Sequence, residues 1–511
     1  MQSNTDSMDT SGGMNHNQDL SKRQGLIAVN DLTYVLEPDL SVASNKTHKK
    51  HYFQSTLYEP GQQGICILNS GADYIDTRRS FLQFEVVNEG TSNLYFGRNG
   101  SALNLIKNIT ISTRSGDELC RIQDLNLLSN MILPLTYSEA WFKNQGQLIG
   151  YDGVVLGTDN VARGPTTYNQ RFCIPMYLLC PLFSYGRLLP AMLMSGLRIE
   201  IQWEESATAY ITMGHSNSGD TGPANPSNST VQTYSIKNPY FSLASVQLSD
   251  SIQRALNELS ATNGLEIVYT DYEKTPLQRN NDLGGNQNIE IRKSCSRALK
   301  AFARVRTQAG QSGNAQQPQV EHARDSLRSE ELFPFMEYQW QLGSLYFPQQ
   351  PVKGTTDSDV SGCAAEAYAY TLEACDKFHG SSDPPKLCFK EHDPSLKSPS
   401  AVALTAKGGI PGTATLVPGI NWFSDRGSPG TYINGGHVVS VTLERSTMFN
   451  LAGVPVNNSR VLALRCKLLN GTVDLRQDGA NVATDATKSL DVYLKYVKLA
   501  RVFLNNVEVE Q

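Results

Sequence analysis

One short pattern occurs twice in this 511-residue chain, and it constrains the fold more than any other feature. Tyr240-x-x-Leu243-Ala244-x-Val246-x-Leu248 returns as Tyr496-x-x-Leu499-Ala500-x-Val502-x-Leu504, offset by 256 residues, half the chain. Side chains alternate between the faces of a β-strand, so Tyr, Ala, Val and Leu at i, i+4, i+6 and i+8 share one face. Each copy reads as a half-buried strand, with Ser242 in one and Lys498 in the other interrupting the apolar face. The first copy runs into a helical stretch, the second into Asn505–Gln511. Alternating strands can match by chance, but five identities at fixed spacing favour duplication, and so two related β-domains, each closed by this strand.

The chain between and around the copies has β-type punctuation. Tyr52–Tyr58, Gly64–Leu68, Phe81–Val87, Leu103–Arg114, Arg171–Leu179 and Gly196–Trp203 read as strands set off by Gly, Pro, Asn and Asp. Leu125, Leu128 and Ile132 are spaced for one short helix over 124–133. Past the first copy, Ile252, Ala255, Leu256 and Leu259 form an apolar stripe; Ser249 or Asp250 starts a linker helix there and Gly264 stops it. Strands resume at Leu265–Tyr272, Asn288–Arg292, Leu299–Arg306, Tyr338–Phe347, Gly436–Leu443, Arg460–Leu468 and Leu490–Leu504, with an ambiguous helix at Ala364–Cys375. Successive strands lack the intervening helices of a parallel α/β sheet, so the reading is antiparallel sandwiches, among which the eight-stranded jelly roll is one.

The division that follows is a flexible arm over 1–50, a first β-domain over 51–249, a linker helix over 250–263, a second β-domain over 264–505, and a tail over 506–511. The arm is rich in Ser, Asn, Asp and Gln and cannot offset its own ordering entropy. It ends in Lys46-Thr47-His48-Lys49-Lys50-His51, read as a solvated turn in preference to a nucleic-acid contact. Polar stretches at 205–232, 308–330 and 354–361, and a Gly/Pro/Ser-rich region at 395–435, are long loops.

Several function classes are set aside by composition. A net charge of −5 argues against a protein that coats nucleic acid. The nine cysteines are odd in number and contain no CxxC pair, which fits synthesis in a reducing compartment. Met1–Thr10 is polar, without the apolar core of a signal peptide, and no apolar run is long enough to span a bilayer. Asn-x-Ser/Thr sequons begin at Asn45, Asn99, Asn108, Asn228, Asn457 and Asn470 and are read as chance matches.

Enzyme motifs do not occur: there is no GxxxxGK[ST], HExxH, GxSxG or GxGxxG after a strand. Glu204-Glu205 and Glu330-Glu331 read as solvated carboxylates. Cys363, Cys375-x3-His379 and Cys388-x3-His392 have a spacing that permits four zinc ligands, but they fall in a Pro- and Ser-bearing region without CxxC pairs. No catalytic, cofactor-binding or metal residue is assigned. Aromatic and basic residues do not interleave as on a nucleic-acid stacking platform, so Trp and Tyr are read as core or as packing between domains.

Particular segments carry a resemblance. Glu337-Tyr-Gln-Trp-Gln-Leu-Gly-Ser-Leu-Tyr-Phe-Pro-Gln-Gln-Pro351 resembles the strand-and-turn segment in the second domain of double jelly-roll major capsid proteins. Those of polinton-like viruses and virophages are nearest, with adenovirus hexon and large-DNA-virus capsid proteins further off. Phe172-Cys-Ile-Pro-Met-Tyr, Leu188-Leu-Pro-Ala-Met-Leu and Leu197-Arg-Ile-Glu-Ile are similar to the late part of their first jelly roll. Val492-Tyr-Leu-Lys-Tyr-Val-Lys-Leu-Ala-Arg-Val-Phe-Leu is similar to their final strand.

The resemblance implies an all-β chain of two tandem eight-stranded antiparallel jelly rolls with short helices and long loops. It also implies a homotrimeric, pseudo-hexagonal capsomer tiling an icosahedral shell around double-stranded DNA. Its partners would be copies of itself, neighbouring capsomers, and penton and minor capsid proteins, without tight nucleic-acid binding. The chain would be made in the host cytoplasm and reside in the virion. A second reading is a tandem β-sandwich binding module, such as a minor capsid, spike or lectin-like adhesin, whose loops would offer Tyr210, Trp422, Phe423 and Tyr432.

Overall fold

A computed structural model describes residues 43–88, 93–95, 101–150, 155–156, 169–205, 211–213, 234–279, 285–307, 335–353, 365–378, 384–386, 438–444, 453–468, 488–503 and 507–510. Sixteen of its strands fall into two sets of eight. The first set is β1 (Ala43–Tyr52), β2 (Gln63–Leu68), β3 (Tyr74–Asn88), β4 (Ile106–Ser112), β5 (Glu118–Ile122), β6 (Asn169–Pro175), β7 (Leu197–Trp203) and β8 (Tyr234–Leu248). The second is β9 (Leu265–Arg279), β10 (Gly285–Ile291), β11 (Cys295–Thr307), β12 (Phe335–Leu342), β13 (Leu345–Lys353), β14 (Val439–Thr442), β15 (Leu462–Leu468) and β16 (Lys488–Val502).

The sheet orders are β1-β8-β3-β6 and β2-β7-β4-β5 in the first set, then β9-β16-β11-β14 and β10-β15-β12-β13 in the second. Every strand thus has a counterpart eight places later, and each pair of four-stranded antiparallel sheets is a jelly roll. The first copy of the repeat lies in β8 and the second, as far as Val502, in β16, each an interior strand and the last of its set. Registers match as well. Tyr240 lies opposite Tyr52, and Tyr496 opposite the counterpart residue Asp271.

Alternation builds the cores. In β7, Leu197, Ile199, Ile201 and Trp203 point inward and are fully buried, while Arg198 faces water. They meet Phe84, Phe172, Phe241 and Leu243 from the facing sheet. In the second roll Ile289, Trp340, Leu462 and Leu464 meet Ala301, Leu490, Val492 and Leu494. The repeat strands are buried on more than the one face that their alternation predicts. Outward-facing Val246 and Leu248 pack with Tyr74 against Ile252 and Leu256 of the linker helix α5. Tyr493, Ala500 and Val502 of β16 join the core cluster of the first roll.

The helices are short. α1 (Leu125–Thr136) and α2 (Glu139–Asn144) follow β5, α3 (Met176–Leu179) follows β6, and α4 (Ala191–Met194) precedes β7. α5 (Asp250–Thr262) joins the two sets, and α6 (Ala365–Ala374) follows β13. Gly264 stops α5 in a left-handed conformation (φ +73°) that a side chain would disfavour.

Four sequence expectations are corrected. The arm does not extend to residue 50, because Ala43–Tyr52 is β1; its basic cluster is an edge strand and not a turn. An edge strand draws its backbone hydrogen bonds from one neighbour and needs no buried side chains, so polar residues suffice there. Val507–Glu510, read as tail, pairs with β16. Tyr338–Phe347 is not one strand but a hairpin, turned at Gly343 (φ +59°) and Ser344. Arg171–Leu179 ends as a strand at Pro175, and α3 follows.

Candidate functional site at the junction of the two rolls

The most elaborate arrangement of polar side chains among the described residues lies where the rolls meet. The edge strand β5 and the start of α1 abut the outer face of the β9-β16-β11-β14 sheet. Leu119 and Cys120 of β5 are fully buried there. Ile267 and Tyr269 of β9, Phe302 of β11 and Tyr493 of β16 complete the apolar contact. Each such side chain, fully buried, contributes about 1.5–3 kcal/mol.

Charge threads this contact. Lys498 and Asp271, 2% and 1% exposed as side chains, form an ion pair of 2.7 Å. Lys498 Nζ also donates to the Leu119 carbonyl at 3.1 Å, so the pair ties β16 and β9 to β5. Tyr269 donates its hydroxyl proton to the same carbonyl at 2.6 Å. Asp271 further accepts from the Tyr272 N–H at 2.9 Å and the Cys120 thiol at 3.2 Å. Burial alone would pull the Lys498 ammonium down, but the attraction of the Asp271 carboxylate prevails and raises the pKa of Lys498.

A second buried cation, Lys274 of β9, bridges Asp491 of β16 at 3.1 Å and Asp124, the residue before α1. Asp124 has a left-handed backbone (φ 48°), which aspartate tolerates better than most residues. Its carbonyl accepts from Tyr493 at 3.5 Å, and the Leu127 carbonyl accepts from Arg304 at 3.5 Å. Ser260 of α5 donates to the Val502 carbonyl at 3.1 Å.

Such an arrangement fixes orientation, because each buried charge is satisfied at one relative placement of the rolls and removing one partner strands the other. The sequence reading missed it: Lys498 appeared only as an interruption of an apolar face. That interruption was the available signal, since a lysine at a core-facing strand position needs a buried carboxylate.

Other predicted residues fall as follows. Cys375 ends the α6 segment, and burial pushes its thiol up to about 12. Cys363, His379, Cys388 and His392 lie outside the described residues, as do Tyr210, Trp422, Phe423, Tyr432, Glu330 and Glu331. Among the described residues no three His, Cys, Asp or Glu side chains are grouped to hold a metal ion. Trp203 and Trp340 are core residues. Glu204 is not solvated: it is buried under α1, accepting from Asn126 at 2.6 Å and facing Lys107 at 3.7 Å. Burial raises its pKa, against the opposing pull of the Glu205 N–H, Lys107 and Asn126.

Among the described residues, the counterparts of the junction are exposed. β13, counterpart of β5, exposes Leu345 (52%) and Tyr346 (37%). β1, counterpart of β9, exposes Lys46, His48, Lys50 and Tyr52.

No protein-family model and no curated protein matches the chain. Solved structures do. Over 94% of this chain and 99% of its own length, a chain of the PBCV-1 virus capsid superposes with a TM-score of 0.53 at 13% identity. A chain of the Sputnik virophage covers 94% of this chain and 92% of its own, with a TM-score of 0.54 at 11% identity. The mavirus major capsid protein covers 100% and 96%, with a TM-score of 0.50 at 8% identity.

Proposed function

From the double jelly-roll fold shared with those capsid structures, we propose that this chain is a major capsid protein, a shell tile whose work is assembly and not catalysis. We place the boundary between its two rolls in α5. Three copies form a pseudo-hexagonal capsomer, and capsomers, with penton and minor capsid proteins, close an icosahedral shell around double-stranded DNA. The protein is made in the host cytoplasm and resides in the virion.

The observation that carries the reading is the eightfold offset in strand order together with the internal junction. Within one chain, the β5 edge of the first roll meets the outer face of the β9-β16-β11-β14 sheet. Among the described residues, the β13 edge and the β1 side of the β1-β8-β3-β6 sheet are the corresponding surfaces without that partner. A contact between unlike surfaces joins copies head to tail, and it closes into a ring if the rotation permits. With two rolls per chain, three chains give a ring of six similar units. The mild net charge of −5 accords with a wall that does not grip the genome.

Size-exclusion chromatography with light scattering, followed by negative-stain microscopy, tests the reading. Trimers seen as triangular or hexagonal particles are the expected outcome. A protein that stays a bilobed monomer at high concentration overturns it.

A further inference from the structure

Cys120 and Cys180 are 60 residues apart in sequence, and their sulfurs lie 2.6 Å apart. That is well inside the separation of two unbonded sulfurs; a covalent S–S bond is about 2.05 Å long. Both residues are buried, at 0% and 1% exposure. Their backbones are held independently of one another. Cys120 sits in β5 opposite Ile111, and Cys180 precedes the 3-10 turn Pro181–Ser184, its carbonyl accepting from the Phe183 N–H at 3.0 Å.

We propose that Cys120 and Cys180 are the site of an intrachain disulfide, formed when the chain meets a low-molecular-weight disulfide of the oxidised-glutathione class. The Cys120 sulfur attacks one sulfur of the small disulfide, giving a mixed disulfide and releasing one small thiol. The Cys180 sulfur then attacks the Cys120 sulfur, forming the Cys120–Cys180 bond and releasing the second small thiol. The two cysteines are oxidised by two electrons, the small disulfide is reduced by two, and the two cysteine protons leave on the released thiols.

The surroundings tolerate the bond. Asp271 loses the Cys120 thiol as a donor but keeps Lys498 at 2.7 Å and the Tyr272 N–H at 2.9 Å, so no buried carboxylate is stranded. Burial, the Cys180 contact and the Asp271 charge push the Cys120 thiol well above its ordinary range, so exchange in the folded protein is slow. The pair therefore stays reduced while the chain folds in a reducing compartment and oxidises where the site opens in a more oxidising one, after which the closed bond is shielded from reductants. It pins β5, the edge on which the second roll rests, to the segment after α3, and it restricts the unfolded chain over the intervening loop. The inference rests on thiol geometry alone and stands or falls separately from the assembly reading.

The test uses the full chain, unfolded and reduced, then refolded in mixed oxidised and reduced glutathione, quenched in acid and alkylated in denaturant. Intact mass should show two of the nine cysteines protected, and peptide mapping should place the bond between Cys120 and Cys180. The urea midpoint of the oxidised protein should lie above that of the reduced one, and Cys120→Ser and Cys180→Ser should each abolish the difference. Nine alkylated cysteines after oxidative refolding, a bond elsewhere, or glutathione adducts without ring closure each overturn the proposal. Should the serine variants fail to fold, the mapping of the unsubstituted protein still decides.

Discussion

β1 and β9 open the two rolls and pair in the same register with the two copies of the repeat, yet their outward rows have opposite chemistry. Lys46, His48, Lys50 and Tyr52 lie opposite Val246, Ala244, Ser242 and Tyr240. Leu265, Ile267, Tyr269 and Asp271 lie opposite Val502, Ala500, Lys498 and Tyr496. The β9 row, apolar but for Asp271, is covered by the first roll, while the β1 row is basic and exposed. A duplicated topology has therefore not duplicated the surface. One copy became a permanent internal joint, which can be apolar because it closes as the chain folds. The other stayed polar, as suits a face that meets water before it meets a partner.

The repeat itself offers the severest test of this contrast. Val502→Asp should leave no stably folded protein, a loss above about 4 kcal/mol, because the carboxylate enters the core shared by both rolls. Val246→Asp should cost less, since Val246 belongs to a small cluster under α5 that can open locally. Urea unfolding followed by circular dichroism measures both, and equal losses would erase the distinction between the joint and the cluster under α5. Next in size is Lys498→Met, expected to cost about 3–5 kcal/mol because it strands Asp271 in the junction. Its counterpart Ser242→Ala should cost less than about 1 kcal/mol. A Lys498→Met protein as stable as the parent would show that the junction admits water.

How much of this was legible in the sequence follows from which forces act locally. The alternation in Leu197–Trp203, the turn residues and the stripe of α5 are local, and they fixed strand type and the linker helix. β1 escaped because an edge strand is specified by its neighbour: Lys46–Lys50 carry no apolar alternation, and their order comes from β8. The hairpin at Gly343 escaped because Leu342 and Leu345 read as one apolar run. The junction was out of reach for a different reason. Asp124 and Lys274 are 150 residues apart and Leu119 and Lys498 are 379 apart, and nothing local says that they meet across the junction.

Alkaline pH gives a gentler probe of the joint. Asp271 holds the folded-state pKa of Lys498 above its ordinary value. The folded protein thus binds this proton more tightly than the unfolded chain, and the pair's contribution is complete below about pH 10.4. It is lost as pH rises through the folded value. The urea midpoint should fall between about pH 8 and pH 11 by more in the parent than in Lys498→Met, the difference isolating this pair from other titrating groups. An identical fall in both would detach the ion pair from the stability of the joint.

The smallest effect on stability should come with the largest effect on assembly. Leu345 and Tyr346 project from β13 into water, so Leu345→Lys with Tyr346→Ser should leave the urea midpoint within about 0.5 kcal/mol of the parent. Leu119→Lys, on the counterpart strand β5, should be strongly destabilising because Leu119 is buried beneath the second roll. If the exposed β13 edge is the surface that a neighbouring copy covers, the double variant should be a folded monomer by light scattering where the parent is a trimer. A double variant that still forms trimers would place the contact between copies elsewhere. The likeness between β5 and β13 would then be a relic of duplication with no part in assembly.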